Sequence, residues 1–546
     1  MLGAAACRER RLVTGARRNG QLPVAYAADA HRLLREIAGR AGARFRARDP
    51  HWLGYGPEAL ARRLTQKLLA EIGVPFRRLF KRRHEAGATE TLVAGRFDAE
   101  SFVVDGRSGE VAITARALLK WTGVFLAYWS YVLAVAVMSL RMRKPVAVPG
   151  TLVHGVGHES LERLGDDASF IDFARNGPVT ILNEARVLFA QAVQPVNATD
   201  AATVRYARYP LLALLRHRGL SPGELLAFLG LHLRAAGAYF IAITGLGAAS
   251  ILARDFAFDA AATVLNRSHA IAGLVLTGSN FTEQMLWMSD LPGRRYPTHM
   301  VFYSVNGNPF AYKADPAYEH NPSLSQIRVD TFWVWTPGQA AVVREWGLAT
   351  PCNVAGPMLF YRPRANAAVR GGTLQIVVFD ITPMEPELIE RRGVVNPYYT
   401  TPRAKAFIAD VLAARDAAAR SLGRKVKVVL KPKRKYQRVH STDYIDFLLG
   451  RVRSDGDFEL LEPQTDLAQV IAASDLVVTL PYSSPPYIAA PLGVPSIYYD
   501  PGDELVPTHE AHPLIGFAST PESLARAVID ALADAPHAGA VHARAG

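Results

Sequence analysis

Two neighbouring hydroxyl side chains, Ser483 and Ser484, lie where they could bind an anion. They follow an apolar run at residues 476–480, which predicts a buried strand, and they precede a short helix predicted at residues 486–492. The first backbone N–H groups of a helix lack partners within the helix, and the helix dipole favours negative charge there. A serine that caps the helix and binds nothing explains the same pattern equally well. The residues of the neighbouring segments distinguish an anion site from a helix cap that binds no ligand.

A basic segment follows a second predicted strand, at residues 425–431. Lys431, Lys433 and Arg434 lie close together there, and such like charges repel one another unless an anion or an acid lies between them. A solvated basic loop is the alternative. Because an open α/β sheet binds ligands at the carboxyl ends of its strands, we expect this segment and the serine pair at one edge. Together they predict a nucleotide diphosphate or a nucleotide monophosphate sugar as the ligand.

Two carboxylates also end predicted strands. Asp380 lies at the end of a strand at residues 373–381, where it could act as a base, bind ribose or a sugar, or cap a turn. Glu283 follows a strand at residues 271–277 and is the preferred candidate for the general base that deprotonates an acceptor hydroxyl.

Further candidates for contacts with the donor sugar or nucleotide lie beside the serine pair and after the next strand. Tyr482 precedes the serines, and Tyr499 ends the strand at residues 496–499. Asp500 follows directly and either orders its loop or contacts hydroxyl groups of the donor sugar.

No metal ion and no cofactor is predicted. His154, His158 and Glu159 have the spacing of metal ligands, but the glycines between them predict a loop and no further ligand stands out. The glycine-containing run at residues 245–250 loosely resembles a dinucleotide fingerprint, yet it lies inside an apolar helical stretch rather than after a strand.

The composition is that of a globular protein with an anionic partner. The chain has 546 residues, a formal net charge of +13 and two cysteines, which excludes a disulfide framework and a cysteine-based zinc site. No basic run is interleaved with aromatic residues, so nucleic acid is not an expected partner. The first twenty residues lack the apolar core of a signal peptide, and we expect a cytoplasmic protein.

The predicted elements divide the chain into four regions. Residues 1–119 form a mostly helical region with a short β-like piece, and residues 120–144 contain an apolar helix. Two series of alternating strands and helices follow, at residues 150–362 and 372–535, and they predict two Rossmann-like lobes with a cleft between them.

The apolar segment at residues 121–140 contains no charge and is flanked by Lys120 and by a basic run beginning at Arg141. It is long enough to cross a bilayer. A helix that lies on or in a membrane and a helix that is buried or faces a partner are equally consistent with the sequence. A second apolar stretch, at residues 225–252, contains His232 and Arg234 and predicts a core helix.

Several ordered motifs carry a resemblance to a known family. They are YPTHMVFYSVNGNPF, IRVDTFWVWTPGQ, NVAGPMLFY, FDITP, LKPKRKY and LPYSSPPYIAAPLGVPSIYYDP, spread over roughly residues 265–505. In this order they resemble the bacterial surface-polysaccharide biosynthesis proteins of the PFTS-motif family. The segment from Pro481 to Ser484 stands where that family has Pro-Phe-Thr-Ser.

The family is similar to GT-B glycosyltransferases, and more loosely to enzymes that use CMP-activated acidic sugars of the Kdo and sialic-acid types. In those enzymes a His-Pro element and a Ser-Ser/Thr element hold the nucleotide phosphate. Ser483 and Ser484 match the second element, whereas Lys431-Pro432 replaces the first and lacks the histidine.

The resemblance therefore implies a metal-independent glycosyltransferase that acts on a lipid-linked or growing surface polysaccharide at the inner membrane. Lys431, Lys433, Arg434 and the two serines would hold the donor phosphate. A GT-B-type nucleotide-sugar epimerase and a non-catalytic assembly protein are the alternatives.

Overall fold

The computed structural model describes the greater part of the chain, which forms two compact units. One unit comprises residues 31–304 and 321–361, and the other comprises residues 1–30, 305–320 and 362–546. The described residues are 24–87, 92, 95–140, 149–155, 187–191, 204–277, 284–302, 304–305, 310–313, 324–346, 348–357, 373–388, 400–433, 435–463, 465–481, 483–507 and 512–534.

The N-terminal region is mostly helical, as the sequence predicts. Helices α1 (Val24–Arg46) and α2 (Pro57–Glu85) are followed by an antiparallel meander of short strands. These strands are β1 (Arg96–Ala99), β2 (Phe102–Asp105) and β3 (Val111–Ile113).

The first unit is built on a seven-stranded parallel sheet in the order β11-β10-β8-β7-β4-β5-β6. If the seven strands are numbered 1 to 7 along the chain and the sheet is listed from β6, the order is 3-2-1-4-5-6-7. This is the Rossmann order 3-2-1-4-5-6 with β11 as one further strand at the edge. The switch point of the sheet lies between β4 and β7. The strands are β4 (Gly150–His154), β5 (Val187–Gln191), β6 (Val204–Ala207), β7 (Ile271–Thr277), β8 (Thr298–Val301), β10 (Thr331–Val334) and β11 (Cys352–Val354).

Most strands predicted in this lobe occur within two or three residues of their predicted positions. The sequence also predicts a strand at residues 179–182, which lies outside the described residues. Strands β4, β5 and β6 are not predicted from the sequence, and β4 and β5 are the better buried of the three. All three strands are only four or five residues long, and β4 begins at Gly150 and is followed by Gly155 and Gly157, residues that are typical of loops.

The long helical segment of this unit contains α3 (Ala115–Ser139), α4 (Pro210–Arg218), α5 (Pro222–Gly245) and α6 (Ala253–Arg267). Short helices α7 (Leu286–Ser289) and α8 (Pro337–Glu345) accompany the later strands. Ser221 begins α5 with a capping box to Glu224. The prediction of a core helix at residues 225–252 is wrong in part, because only one side of α5 is buried and the core helix is the alanine-rich α6.

Buried polar contacts fasten the N-terminal helices to α6. Arg63 of α2 forms an ion pair with Asp255 at 2.9 Å, and both side chains are almost fully buried. The Asp255 carboxylate also accepts a hydrogen bond from the backbone N–H of Leu286. The Tyr55 hydroxyl donates to Asp259 at 2.8 Å, and burial raises the pKa of that aspartate to about 6.

The second unit contains a six-stranded parallel sheet in the order β14-β13-β12-β15-β16-β18, which is again the Rossmann order 3-2-1-4-5-6. Its strands are β12 (Leu374–Phe379), β13 (Val426–Lys431), β14 (Phe458–Leu460), β15 (Leu476–Thr479), β16 (Ser496–Tyr499) and β18 (Ile515–Ala518). The near-continuous apolar strands are buried on both faces, as parallel sheets require.

The helices of this unit are α9 (Thr401–Leu422), α10 (Thr442–Ser454), α11 (Leu467–Ala472), α12 (Pro485–Ala489) and α13 (Pro521–Ala533). A detached strand, β9 (Phe310–Tyr312), pairs antiparallel with β17 (Leu505–Pro507). The two parallel sheets and the helical N-terminal region confirm the predicted fold class.

The Arg63–Asp255 pair provides a test of how the N-terminal helices are held. Arg63→Ala leaves the Asp255 carboxylate buried without its cation, so we expect the free energy of unfolding to fall by about 3–5 kcal/mol. The exposed Arg46–Glu58 pair is the control, and Arg46→Ala should cost less than about 1 kcal/mol. Urea unfolding followed by tryptophan fluorescence measures the free energy of unfolding of both variants. Equal decreases in the two variants would contradict the role of the Arg63–Asp255 pair in holding the N-terminal helices.

Candidate functional site

The carboxyl ends of the central strands of the second unit bring the predicted site residues to one edge of the sheet. Phe379, the last residue of β12, pairs with Lys431 of β13 on one side and with Thr479 of β15 on the other. Asp380 and the turn that contains Ser483 therefore flank the switch point of this sheet, where open α/β sheets bind ligands.

Asp380 organises the basic segment rather than facing solvent. Its side chain is buried and accepts hydrogen bonds from the Lys433 backbone N–H at 3.0 Å, the Tyr444 hydroxyl at 3.1 Å and the Thr382 hydroxyl at 3.2 Å. Burial raises the pKa of this carboxyl, while its hydrogen bonds act in the opposite direction. These contacts favour the turn-capping alternative, and the role of Asp380 as a base remains a prediction.

The three described lysines of the basic segment, Lys431, Lys433 and Lys435, differ in exposure. The Lys431 side chain is buried, and its ammonium donates a hydrogen bond to the Pro463 carbonyl at 3.0 Å. Lys433 is exposed, with its backbone fixed by Asp380. Arg434 lies outside the described residues. Lys433 and Lys435 are thus the exposed cations described in this segment, and Lys433 is the one whose backbone is bound by Asp380.

Tyr436 adds a polar group that is not among the predicted site residues. Its hydroxyl is buried and has no hydrogen-bond partner within the described part of the chain. Burial raises the pKa of this phenol well above its usual value, and the charge of Asp380 adds to the effect. A buried hydroxyl without a partner is costly, so a ligand or water that accepted its hydrogen bond would stabilise this loop.

The two serines have different surroundings. The Ser483 hydroxyl donates to the Leu480 carbonyl at 2.6 Å and lies 2.6 Å from the Thr479 hydroxyl, so it braces the turn. The Ser484 hydroxyl accepts from the Val305 backbone N–H at 3.3 Å and is half-buried. Within the described residues its own hydrogen has no acceptor, which leaves it for a ligand.

The predicted cap of the following helix is wrong. Ser484 is the N-cap residue of α12, but its side chain makes no capping hydrogen bond. The next two residues, Pro485 and Pro486, have no backbone N–H, and the Tyr487 N–H already donates to the Ser484 carbonyl. The start of this helix therefore offers an anion few backbone donors, and the hydroxyl of Ser484 becomes more important.

Tyr499 and Asp500 both lie inside the protein. The Tyr499 hydroxyl donates to Asp410 at 2.6 Å, and its ring stacks on Phe407. The Asp500 carboxylate accepts from the backbone N–H groups of Glu504 at 2.7 Å and Leu505 at 2.9 Å, and it pairs with Arg403. Asp500 thus orders its loop, which is the first of its two predicted roles, and Tyr499 is a core residue. Tyr482 lies outside the described residues.

In the first unit, His154 occupies a position that the sequence does not predict. It was assigned to a loop, but it is the last residue of β4, beside the switch point of its sheet. Burial and the nearby Arg254 lower its pKa to about 3, although a hydrogen bond with Gln191 acts in the opposite direction. The imidazole is therefore neutral at pH 7. Glu283, His158 and Glu159 lie outside the described residues.

No group of three or more His, Cys, Asp and Glu side chains is placed to hold a metal ion within the described ranges. The expectation of chemistry without a metal ion or a cofactor remains a prediction.

Comparison with known families decides what kind of protein carries these residues. The model of the family described as polysaccharide biosynthesis PFTS motif protein matches residues 240–528, more than half of the 546 residues. The chain belongs to this family. In this PFTS-motif protein the matched region contains Asp380, Lys431, Lys433 and both serines of the Pro-Tyr-Ser-Ser turn.

Solved structures similar to the PFTS-motif protein are distant in sequence. The wall teichoic acid polymerase TagF is 10% identical, with a TM-score of 0.36, and the match covers 78% of this chain and 94% of that chain. Sucrose-phosphate synthase from Thermosynechococcus elongatus is 13% identical, with a TM-score of 0.39 and coverage of 72% and 92%. HepE from Anabaena, solved in complex with UDP and glucose, is 12% identical, with a TM-score of 0.35 and coverage of 71% and 90%. No curated protein matches the sequence significantly.

Asp380 can be tested as the organiser of the basic segment. Asp380→Ala leaves buried donors without an acceptor, which costs about 1–3 kcal/mol, and should speed native-state tryptic cleavage near Lys433. Asp380→Asn keeps a carbonyl oxygen in place and should change cleavage much less. A fully folded Asp380→Asn protein that binds substrate normally but has lost turnover would instead support the carboxylate as a base.

The buried His154 predicts a dependence of stability on pH. Its pKa is lowered in the folded state, so the unfolded chain takes up a proton first as the pH falls below about 6.5. Wild type should lose stability relative to His154→Gln by about 1.4 kcal/mol per pH unit from pH 6 to 4. Urea unfolding at several pH values measures this difference, in which the contributions of other groups cancel. A constant difference would contradict the lowered pKa.

Proposed function

We propose that this PFTS-motif protein is a glycosyltransferase that moves a sugar from a nucleotide-activated donor to a lipid-linked or growing surface polysaccharide. The observation that carries the proposal is the position of Lys433 and Ser484. Both follow central strands at the ligand-binding edge of a Rossmann-ordered sheet, and both offer hydrogen-bond donors.

The donor phosphate would be held by charge and hydroxyl groups rather than by a metal ion or a cofactor. Lys433 supplies an exposed ammonium, and the buried Lys431, whose ammonium donates to the Pro463 carbonyl, adds positive charge at the end of the same strand. Arg434 follows in sequence and would add to the positive charge. When the bond to the sugar breaks, negative charge develops on the leaving nucleotide, and donors already in place stabilise it.

Removal of the proton from the acceptor hydroxyl needs a base if the reaction inverts the anomeric carbon. Glu283 and Asp380 remain the candidates from the sequence, and His154 joins them because it is neutral at pH 7 and ends the first strand of its sheet. A pKa of about 3 makes this imidazole a hydrogen-bond acceptor and a weak base, suited to orienting a hydroxyl.

A CMP-linked acidic sugar is supported by the serine pair, but Lys431-Pro432 replaces the histidine-containing element that such enzymes share. We place the reaction in the cytoplasm, at the inner membrane, where lipid-linked acceptors are available.

Nucleotide binding tests the phosphate site. A thermal-shift screen of CMP, UDP and GDP, followed by calorimetry with the best of them, should show binding by wild type. Lys433→Ala and Ser484→Ala should each weaken it by about tenfold or more, because a hydrogen bond to a charged group contributes about 1.5–3 kcal/mol. Lys425→Ala is the matched control, since Lys425 precedes the same strand at the opposite edge of the sheet. Equal nucleotide affinities of the Lys433→Ala, Ser484→Ala and Lys425→Ala variants would contradict a phosphate site at Lys433 and Ser484.

Nucleotide release distinguishes transfer from the alternatives. A transferase releases nucleotide faster when a glycan or lipid-linked acceptor is added, whereas an epimerase converts the nucleotide sugar without net release. Binding with neither reaction, over a panel of donors and acceptors, would point to a non-catalytic assembly protein and overturn the proposal.

A further inference from the structure

Two apolar helices of the first unit pack side by side and share an outward face. Phe125 of α3 stacks on Tyr239 of α5 with ring centroids 4.0 Å apart, and Trp129 stacks on His232 at 4.6 Å. The Trp129 indole N–H donates to the His232 carbonyl, and the His232 ring bonds the Trp129 carbonyl in return. Because later residues of α3 meet earlier residues of α5, the helices run antiparallel.

The inner sides of both helices rest on the rest of the unit. Along α3 the buried residues recur with helical period and include Trp121, Phe125, Val132 and Val135. Both helices pack against α6, which is itself buried almost throughout. The pair is therefore a fixed layer of this unit.

The outer sides are apolar as well, which is unusual for a surface in contact with water. Leu119 of α3 and Leu226, Leu233 and Ile241 of α5 each expose between 64% and 74% of their surface. Further large apolar residues on the same helices are more than one third exposed: Leu126, Tyr131, Val137, Met138, Leu140 and Phe240. Large contiguous apolar patches on proteins mark interaction sites.

By length and composition, either helix could cross a membrane. Within the most apolar 18-residue segment of each helix, 28% of the residues are buried in the protein. A spanning helix would have to leave α6 and expose its inner side to lipid. Lying flat instead requires only the outer side to enter the bilayer, as amphipathic helices at membrane interfaces do.

The charges on this outer face are all positive. Arg116 and Lys120 lie exposed at the start of α3, and Arg234 lies on the exposed side of α5. The one carboxylate of the two helices, Glu224, is half-buried and bound to Arg218 and to the start of its own helix. Long basic side chains can extend to lipid headgroups while their stems rest on apolar surface.

We propose that the outer face of α3 and α5 binds an anionic lipid bilayer in the plane of its surface. A second copy of this chain fits the face less well, because a two-fold contact would set the same basic patch against itself without carboxylates to neutralise it. The inference does not depend on the proposed sugar transfer, and its test uses no nucleotide.

Vesicle flotation of the full chain tests the bilayer as the partner. Purified protein should float with phosphatidylglycerol-containing vesicles, and less with pure phosphatidylcholine vesicles. The triple variant Leu126→Gln, Leu233→Gln and Ile241→Gln should lower the partition coefficient by at least about tenfold, since it removes apolar area that enters the membrane. These side chains are exposed, so the variant should fold, and circular dichroism checks this.

The control changes exposed apolar residues elsewhere. Leu449 and Val452 of α10 are 41% and 40% exposed, and Leu449→Gln with Val452→Gln should float like wild type. Lys120→Gln with Arg234→Gln should weaken binding to anionic vesicles about tenfold or more and leave binding to neutral vesicles unchanged.

Two results would overturn the proposal. Wild type that remains unbound with anionic vesicles, or a triple variant that floats as well as wild type, would exclude the face as a membrane site. Sedimentation velocity gives the other outcome, in which wild type is a dimer that the triple variant dissociates and neither binds vesicles. That result would assign the face to a second copy of the chain.

Discussion

The parallel pairing of β12 with both β13 and β15 is the constraint on which the candidate site depends. Phe379 is held between Lys431 and Thr479, so the next residue, Asp380, has to leave the sheet at its centre. The loops after all three strands then emerge side by side at the switch point. No single one of these segments supplies both kinds of group, because the exposed lysines follow β13 and the serine hydroxyls follow β15.

Buried carboxylates fix the loops at this edge, and the ligand-facing groups are different residues. Asp380 binds the backbone of the basic segment, and Asp500 gathers the backbone N–H groups of its own turn. Each carboxylate accepts hydrogen bonds from donors that would otherwise be buried without partners. Leaving a donor buried without a partner costs more free energy than a typical hydrogen bond contributes. The charge that a phosphate would meet is carried by Lys433 on a loop whose shape Asp380 holds.

The sequence predicted the second unit well because its signals agree with one another. Long apolar strands alternate with helices that begin at good capping residues, such as Ser441 and Asp466. The position of each polar residue at a strand end followed from that pattern. Whether a side chain points into the core could not be predicted, since Tyr499 and Asp500 stand where a strand meets a turn in the sequence and are both fully buried.

The first unit was harder to predict, for a related reason. The final histidine of strand β4 was interpreted with the glycines after it rather than with the apolar residues before it. The helical segment was ambiguous because α3, α5 and α6 are all rich in apolar or small residues. The periodicity of a sequence distinguishes an apolar helix face from a polar one. It cannot distinguish an apolar face that packs in the core from an apolar face at the protein surface.

The contrast between α6 and its two neighbours shows how that ambiguity is resolved physically. Small residues such as Ala257, Ala260, Ala261 and Ala262 allow other helices to approach α6 closely, so it becomes buried. Helices α3 and α5 lie against it, and each can turn only one side towards it. A water-soluble protein would ordinarily make the remaining side polar. The retention of leucine, isoleucine and phenylalanine there, with basic residues and no exposed carboxylate, is costly in water and favourable at an anionic bilayer.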